Sequence, residues 1–395
     1  MSNQSSSGPA GPPSTSTIDD LVELTPDLAS LGWNEELDAW ADETVIRTGI
    51  GTSEGEVVRG RIARVSRGFS LVFTGGAALL AASGSNRAVL DLVPATGDFV
   101  VVRNDPEDGP SIAAIAPRRS ALQRRAPGRV PEAQVLAANA DTVFVMHGLD
   151  RDMNLRRIER MLVVSWDSGA EPVVVLTKAD LDPDVSATLE QVQTISAGVE
   201  VLAISTVADR DLDRVQSLLD DNQSVALLGP SGVGKSTLVN FLSDGVVQLT
   251  GEVRAADHRG RHTTVTRDLI PLPGGGFIID APGIREIGLW QAYDGLAKAF
   301  PEIAEAAASC RFADCDHVQE PGCGVTAAMA DGAIVERRLQ HWRELSAELE
   351  LQETQLTEFA RRAESRNRAD AEDQRDRTRS NRKGRSSRRR RGPKR

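Results

Sequence analysis

Cysteine is scarce in this chain: three residues among 395, all between positions 310 and 323. So few exclude a disulfide framework. No apolar run approaches the ~20 residues that a membrane-crossing helix needs, so no membrane partner is expected. The opening MSNQSSSGPAGPPSTSTIDD lacks a basic start followed by an apolar stretch. No secretory signal is therefore expected, and a cytoplasmic location is. Aromatic residues make up 4% of the chain, with a single tyrosine. Any core must rely on Val, Leu, Ile and Ala.

What is present points to several domains, at roughly 100–200 residues each. The formal net charge of −11 hides an asymmetry. Positions 361–395 hold 16 basic and 5 acidic residues, a local charge of +11, so the rest carries −22. An acidic body with a basic end suits a tail that meets phosphate backbones; a solubilising end is the other reading.

Composition divides the chain. Residues 1–19 are rich in Ser, Pro and Gly and are expected to be disordered, with 20–55 an N-terminal extension. Over 56–116, short apolar stretches punctuated by glycines read as a small five-stranded barrel, which could bind RNA or serve as a structural cap. A loop follows, RRSALQRRAPGRVPEAQVLAAN, with Arg118, Arg119, Arg124, Arg125 and Arg129. Across 117–288 apolar strands alternate with helical patterns, the signature of an α/β domain with a parallel sheet. A mostly helical module spans 289–362, and 363–395 reads as a disordered basic tail.

The segment Gly229-Pro230-Ser231-Gly232-Val233-Gly234-Lys235-Ser236 fits G-x-x-x-x-G-K-[ST], with an apolar strand before it and a helix-forming run after it. Glycines let backbone N–H groups curl around phosphates, and the helix adds its positive end. Lys235 is expected to reach the outer phosphates and the Ser236 hydroxyl to ligate magnesium. Downstream, GGFIIDAPG places Asp280 at a strand end, where an acid holds a magnesium-bound water, and Gly283 can offer its N–H to a terminal phosphate. Between them, ADHRGRHTTVTRDL suits a segment that orders around a third phosphate. Thr264, with Thr263 as its rival, is the candidate second magnesium ligand; Arg261 and His262 could meet phosphate charge.

Guanine selectivity needs an acid for the base N1–H and exocyclic amine, and gains from a lysine stem over the ring. Thr177-Lys178-Ala179-Asp180, after the strand EPVVVL, supplies both. Ser205, at the end of VEVLAIS, is a candidate contact to the base edge. The order is unusual, since Asp180 precedes Gly229. A circularly permuted connection still brings these loops to one sheet edge. Finally, Cys310, Cys315, His317 and Cys323 offer three thiolates and one imidazole, a closed tetrahedral zinc shell with no position left for substrate water.

Taken in order, TKAD, GPSGVGKST, GRHTT, DAPG and C-x4-C-x-H-x5-C, with NLRRIERML after the first strand, resemble the bacterial small-subunit-dependent ribosome GTPases. The resemblance covers residues 56–362. It implies an N-terminal OB-type β-barrel that contacts ribosomal RNA, a circularly permuted P-loop GTPase domain, and a C-terminal zinc-binding, mostly helical module. It further implies hydrolysis of GTP to GDP and phosphate, stimulated by the small subunit, late in maturation of the 30S particle. The small subunit with its 16S rRNA and GTP/GDP are the implied partners, and one large partner particle suits a monomer. Carried over, Gly229 through Ser236 and Thr237 bind phosphates, Ser236, Thr264 and Asp280 serve magnesium, and Lys178 and Asp180 read guanine. One structural zinc per chain is implied at the cysteine cluster. Lys235 and Thr264 serve catalysis, with His262 near the attacking water. Thr177 stands where family members usually have asparagine, or threonine as here, and the chain departs from the pattern at Ala281, where Ser or Thr is usual. Ile284 stands where many GTPases orient water with glutamine, so a slow intrinsic rate is expected. Two rival readings are an RNA-binding assembly scaffold whose hydrolysis is incidental, and an ATP-using P-loop enzyme, against which Asp180 argues.

Overall fold

The computed structural model describes residues 26–50, 56–83, 92–126, 132–243, 267–280, 288–318 and 320–389, with side chains through 362 and at 364 and 365. Its centre is a run of parallel strands: β8 (Thr142–Gly148), β9 (Glu171–Thr177), β10 (Glu200–Ala203), β11 (Ser224–Leu228) and β13 (Phe277–Asp280), in the order β10-β9-β8-β11-β13. Both faces are covered, so the strands are nearly continuous apolar runs. On one face Val143, Val145, Val174 and Leu228 pack under Ile158 and Leu162 of α2 (Leu155–Asp167) and Val192 of α3 (Val185–Gln193). On the other, Phe144, Met146, Val175 and Leu227 meet Val215 of α4 (Leu212–Ser217) and Leu238 and Leu242 of α5 (Lys235–Leu242).

N-terminal to this sheet, β1 (Glu56–Ser66), β2 (Phe69–Phe73), β3 (Ala78–Ala82), β4 (Phe99–Asp105) and β5 (Gly109–Ile115) pair in the order β1-β2-β3-β5-β4, and β4 returns to β1. β1 serves both neighbours by bending, with Glu56–Arg61 on β4 and Arg61–Ser66 on β2. Gly60 sits at that bend, where a Cβ would lie 2.5 Å from the Phe73 carbonyl oxygen, so only glycine fits. Helix α1 (Glu35–Thr48), capped by Asn34, closes one side, and Trp33 meets Phe99 edge-on at 5.8 Å.

A short antiparallel strand, β12 (Asp268–Pro271), joins these halves by pairing with β13 and touching β1 at Arg64↔Asp268. Arg61 reinforces the joint. It is fully buried and donates to the carbonyls of Leu31, Gly97 and Asn139, tying the segment before α1 to the paired segments at Gly97 and Asn139. A buried guanidinium is tolerated only with such partners.

The C-terminal part comprises α6 (Tyr293–Ala299), α7 (Pro301–Ala307), α8 (Gly324–Ala330) and the long α9 (Glu336–Arg389). Glu159 of α2 is wholly buried against it and accepts from Arg337, Arg338 and His341, while Arg338 also reaches Glu302. Here the expectation of a disordered tail from 363 is corrected. The helix continues to Arg389, in a stretch that contains no proline and whose commonest residue is Arg, a strong helix former. A second correction concerns the basic loop after 117. Much of it forms a hairpin, β6 (Ala121–Arg125) with β7 (Ala133–Ala138), whose strands were masked by Pro and Arg content; Arg129 lies outside the described residues. No helix among the described residues is long and apolar enough to cross a membrane.

Candidate functional site

β9 and β10 extend the sheet to one side of β8, and β11 and β13 to the other. The chain reverses direction of growth between β8 and β11, and ligands of parallel sheets bind at the carboxyl ends beside such a point. The loop after β11 is 229–234. Gly229 lies tight on β8, since a Cβ there would meet the Met146 carbonyl oxygen at 2.9 Å. Gly232 (φ +77°) and Gly234 (φ +104°) take left-handed conformations that turn successive N–H groups inward before α5 begins at Lys235. Lys235 is mostly buried and its ammonium donates to the carbonyls of Gly229 and Pro230, at 2.7 and 2.9 Å, arching over the loop. Ser231, Val233, Ser236 and Thr237 complete the strand–loop–helix unit, with Ser236 and Thr237 in the first turn of α5.

The loops after β9 and β10 meet at the same edge. Thr177 ends β9, and its hydroxyl donates to the Val233 carbonyl at 2.5 Å. Lys178 has φ 58°, uncommon for a side-chain-bearing residue. Its ammonium reaches the Gly232 carbonyl at 2.9 Å, so the two loops are fastened by adjacent side chains. Asp180, in the single turn Ala179–Leu181, accepts a 2.5 Å hydrogen bond from the Ser205 hydroxyl. Thus Asp180, Ser205, Lys178 and the phosphate loop, drawn from positions 177 to 236, lie at one sheet edge.

Two residues here carry no sequence motif. Asp150 and Arg151 follow β8, whose end lies between those of β9 and β11. Lys178 donates to Asp150 at 2.7 Å, and Arg151 bonds Asp150 at 3.2 Å while reaching the Gly232 carbonyl at 3.4 Å. Hydrogen bonds from Arg151 and Lys178 hold the Asp150 carboxyl down at about 2, so it is ionised at any working pH. The switch-point rule, applied to the HGLD segment ending β8, is the signal that could have found them.

Asp280 lies beside Leu227 in register, two residues short of Gly229, and is largely buried. Its place next to the phosphate loop suits a carboxylate serving a nucleotide-bound cation. Arg261, His262, Thr263, Thr264, Ala281, Gly283 and Ile284 lie outside the described residues.

Far along the chain, Cys310, Cys315, His317 and Cys323 gather their ligand atoms within 4.8 Å of one another. The His317 Nδ1 lies 3.4 Å from the Cys310 sulfur and 3.6 Å from that of Cys323. Backbone N–H groups of Gly324 and Thr326 point at the Cys310 and Cys323 sulfurs, as suits thiolates. Burial pushes the Cys323 thiol up, but hydrogen bonds from Thr326 and His317 outweigh it and bring it to about 6. Three sulfurs and a nitrogen at this spacing are compatible with zinc. His317 (φ 57°) is held by Arg343, which donates to its carbonyl, and by Trp342 at 5.7 Å.

Positive charge falls elsewhere than the sequence suggests. Arg118 is held against the buried Asp98 by two hydrogen bonds, so it serves the fold and not the surface. On β1 and β4, Arg59, Arg64 and Arg103 are also held by carboxylates. On the hairpin, Arg124 donates to the neutral Gln134, and its charge faces Arg267 closely enough to lower that residue's basicity further after burial has done so.

Comparison with known proteins agrees with this geometry. A family model described as RsgA GTPase matches residues 115–290, the span from the end of β5 through the hairpin and the 229–236 loop to just short of α6. A small ribosomal subunit biogenesis GTPase RsgA of Methanosarcina acetivorans is 40% identical over 322 residues, 81% of this chain and 85% of that one. That of Streptomyces coelicolor is 42% identical over 326 residues, 81% and 86% of the two chains. Among solved structures, YloQ, described as a circularly permuted GTPase, superposes with a TM-score of 0.54 at 24% identity, covering 75% of this chain and 96% of its own. YjeQ from Thermotoga maritima gives 0.56 at 24% identity, covering 74% and 99%. Those two likenesses establish the circularly permuted GTPase fold, and in this chain the 177–180 loop precedes the 229–236 loop. Relatives alike over more than four-fifths of their length, and a sheet edge assembled in the same permuted order, place the chain in the RsgA GTPase family.

Proposed function

We propose that this chain is a GTP hydrolase of small-ribosomal-subunit biogenesis, acting late in maturation of the 30S particle and turning over faster when bound to it. The GTPase and assembly roles follow from membership of the family, whose members carry those words in their names. One observation carries the site reading: Asp180, Lys178 and the 229–236 loop converge at one sheet edge although they arrive in permuted order. In this reading Asp180 accepts from the guanine N1–H and 2-amino group, and the Lys178 stem covers the ring. The N–H groups of 229–237 and the Lys235 ammonium hold the phosphates. Magnesium, when bound with the nucleotide, offsets charge on the phosphate oxygens. Ser236 and Asp280 are positioned to serve it, and Thr264 is assigned as its further ligand. Gly283 is assigned to the terminal phosphate and His262 to the attacking water, in place of the glutamine that Ile284 replaces.

The closed five-strand pairing β1-β2-β3-β5-β4 supports an OB-type barrel. The Cys3His cluster supports one structural zinc that stabilises the 289–362 module. Contact with 16S rRNA is assigned to the hairpin arginines Arg124 and Arg125 and to the basic C-terminal stretch, which together supply positive surface on an acidic body. A monomer working in the cytoplasm fits a partner that is a single large particle.

The test is GTP hydrolysis by the purified chain with small subunits, with large subunits and with neither. A rise of at least tenfold with small subunits alone is expected. Equal rates in all three would reject the dependence.

A further inference from the structure

Asp150 has no place in the motifs that bind nucleotide, yet it is the hub of their contacts. Its Oδ2 accepts from Lys178 at 2.7 Å and from Arg151 at 3.4 Å, its Oδ1 from Arg151 at 3.2 Å, and both cations also point at the Gly232 carbonyl. The base-covering lysine is therefore gripped from two sides, by a carboxylate and by the phosphate loop. Its left-handed backbone turns it toward them. Gly148 provides the space: a Cβ on it would lie 2.6 Å from the Asp150 carboxylate. Free lysine side chains sample many rotamers, and fixing one before the ligand arrives removes that entropy cost from binding.

We propose that Asp150 is a positioning residue for nucleotide binding: it holds Lys178 in place across the base pocket and locks it to Gly232, so that nucleotide residence depends on a residue outside the loops that contact it. The proposal rests on the assignment of Lys178 and Asp180 to the base. Both ends of the Asp150–Lys178 pair are about a third exposed, so the gain is that of a partly screened pair. Losing it should speed GDP dissociation about fivefold, equivalent to roughly 1 kcal/mol.

The experiment follows dissociation of a fluorescent GDP from the full-length protein carrying Asp150→Asn, Gly148→Ala, Lys178→Met or Asp180→Asn, and the Asp150→Asn/Lys178→Met pair. Gly148→Ala acts independently, because the atom it meets is the end of a flexible side chain and the fold need not move. Asp150→Asn and Gly148→Ala should each speed release about fivefold without changing the preference for guanine over hypoxanthine, which belongs to Asp180. The double variant should release no faster than Lys178→Met, as expected of residues that act as one unit. Unchanged release in Asp150→Asn and Gly148→Ala, or effects of Asp150→Asn and Lys178→Met that fully multiply, would overturn the proposal. If Asp180→Asn alters nucleotide preference while the Asp150 variant is silent, the base site stands and the positioning role falls. If Asp180→Asn leaves binding untouched, the base assignment itself falls, and the role of Asp150 with it.

Discussion

Asp180 and Ser205 form a small unit: the Ser205 hydroxyl, expected from the sequence at the base edge, donates to the carboxylate that is proposed to meet the base, and so can aim it. A carboxylate can only accept, which matches the N1–H and 2-amino donors of guanine. Asparagine keeps one acceptor and adds donors. Asp180→Asn should therefore weaken GDP by about 2 kcal/mol or more, since hydrogen bonds to a charged group are lost, and should improve xanthosine diphosphate, whose C2 carries an acceptor. Competition binding with the two diphosphates measures this, and an unchanged preference would remove Asp180 from the base. Ser205→Ala, which only frees the carboxylate to turn, should cost about 1 kcal/mol. At this scale the sequence was readable wherever chemistry demands fixed types at fixed spacing, as in Thr177-Lys178-x-Asp180 and Gly229–Ser236. It was unreadable at Asp150, whose role depends on two neighbouring strands and the space over Gly148.

Among elements, the parallel strands were legible because burial on both faces writes them as continuous apolar runs, and α5 because a glycine loop must end in a helix there. β12 was not, being four residues long, ending in proline, and defined by pairing with β13 and β1 rather than by its own pattern. The β6–β7 hairpin was hidden by arginines on a strand outside the main sheet. Helix α2 posed the opposite problem: NLRRIERML looks like a surface helix, yet Glu159 is fully buried. Burial raises its carboxyl, but hydrogen bonds from His341 and Arg337, with the Arg337 charge, outweigh this and leave it below its ordinary 4.5. A depressed folded-state value means that this stabilisation is complete above 4.5 and is lost as pH falls through the lower folded value. Glu159→Gln should then cost about 3 kcal/mol at neutral pH, because Arg338 and His341 stay buried facing a neutral amide. Its stability should also fall less between neutral and acid pH than that of the parent. Urea unfolding at both values tests this, and parallel pH dependences would show that Glu159 does not anchor the joint between α2 and α9.

Across the whole molecule, charge is partitioned along a lever. The first 360 residues carry −22 and the last 35 carry +11. At 1.5 Å per residue, α9 spans about 80 Å if straight, so its basic end can reach well beyond the sheet. On the proposed contact with ribosomal RNA, an acidic body would be repelled at long range, and the positive end would make first contact and orient the approach. Each phosphate that the end neutralises releases counterions, so it should appear in the salt dependence of binding as well as in affinity. Truncation after Arg362 should leave unstimulated GTP turnover unchanged, because none of the residues assigned to the nucleotide site belongs to that end. It should weaken small-subunit binding and flatten the plot of log affinity against log salt by about 0.7–0.9 for every lost phosphate contact. Weaker binding with an unaltered slope would mean that the end contributes shape rather than charge. No change in either would mean that the hairpin arginines alone hold the particle, and that the long helix serves only to brace α2 through Glu344 and Glu348.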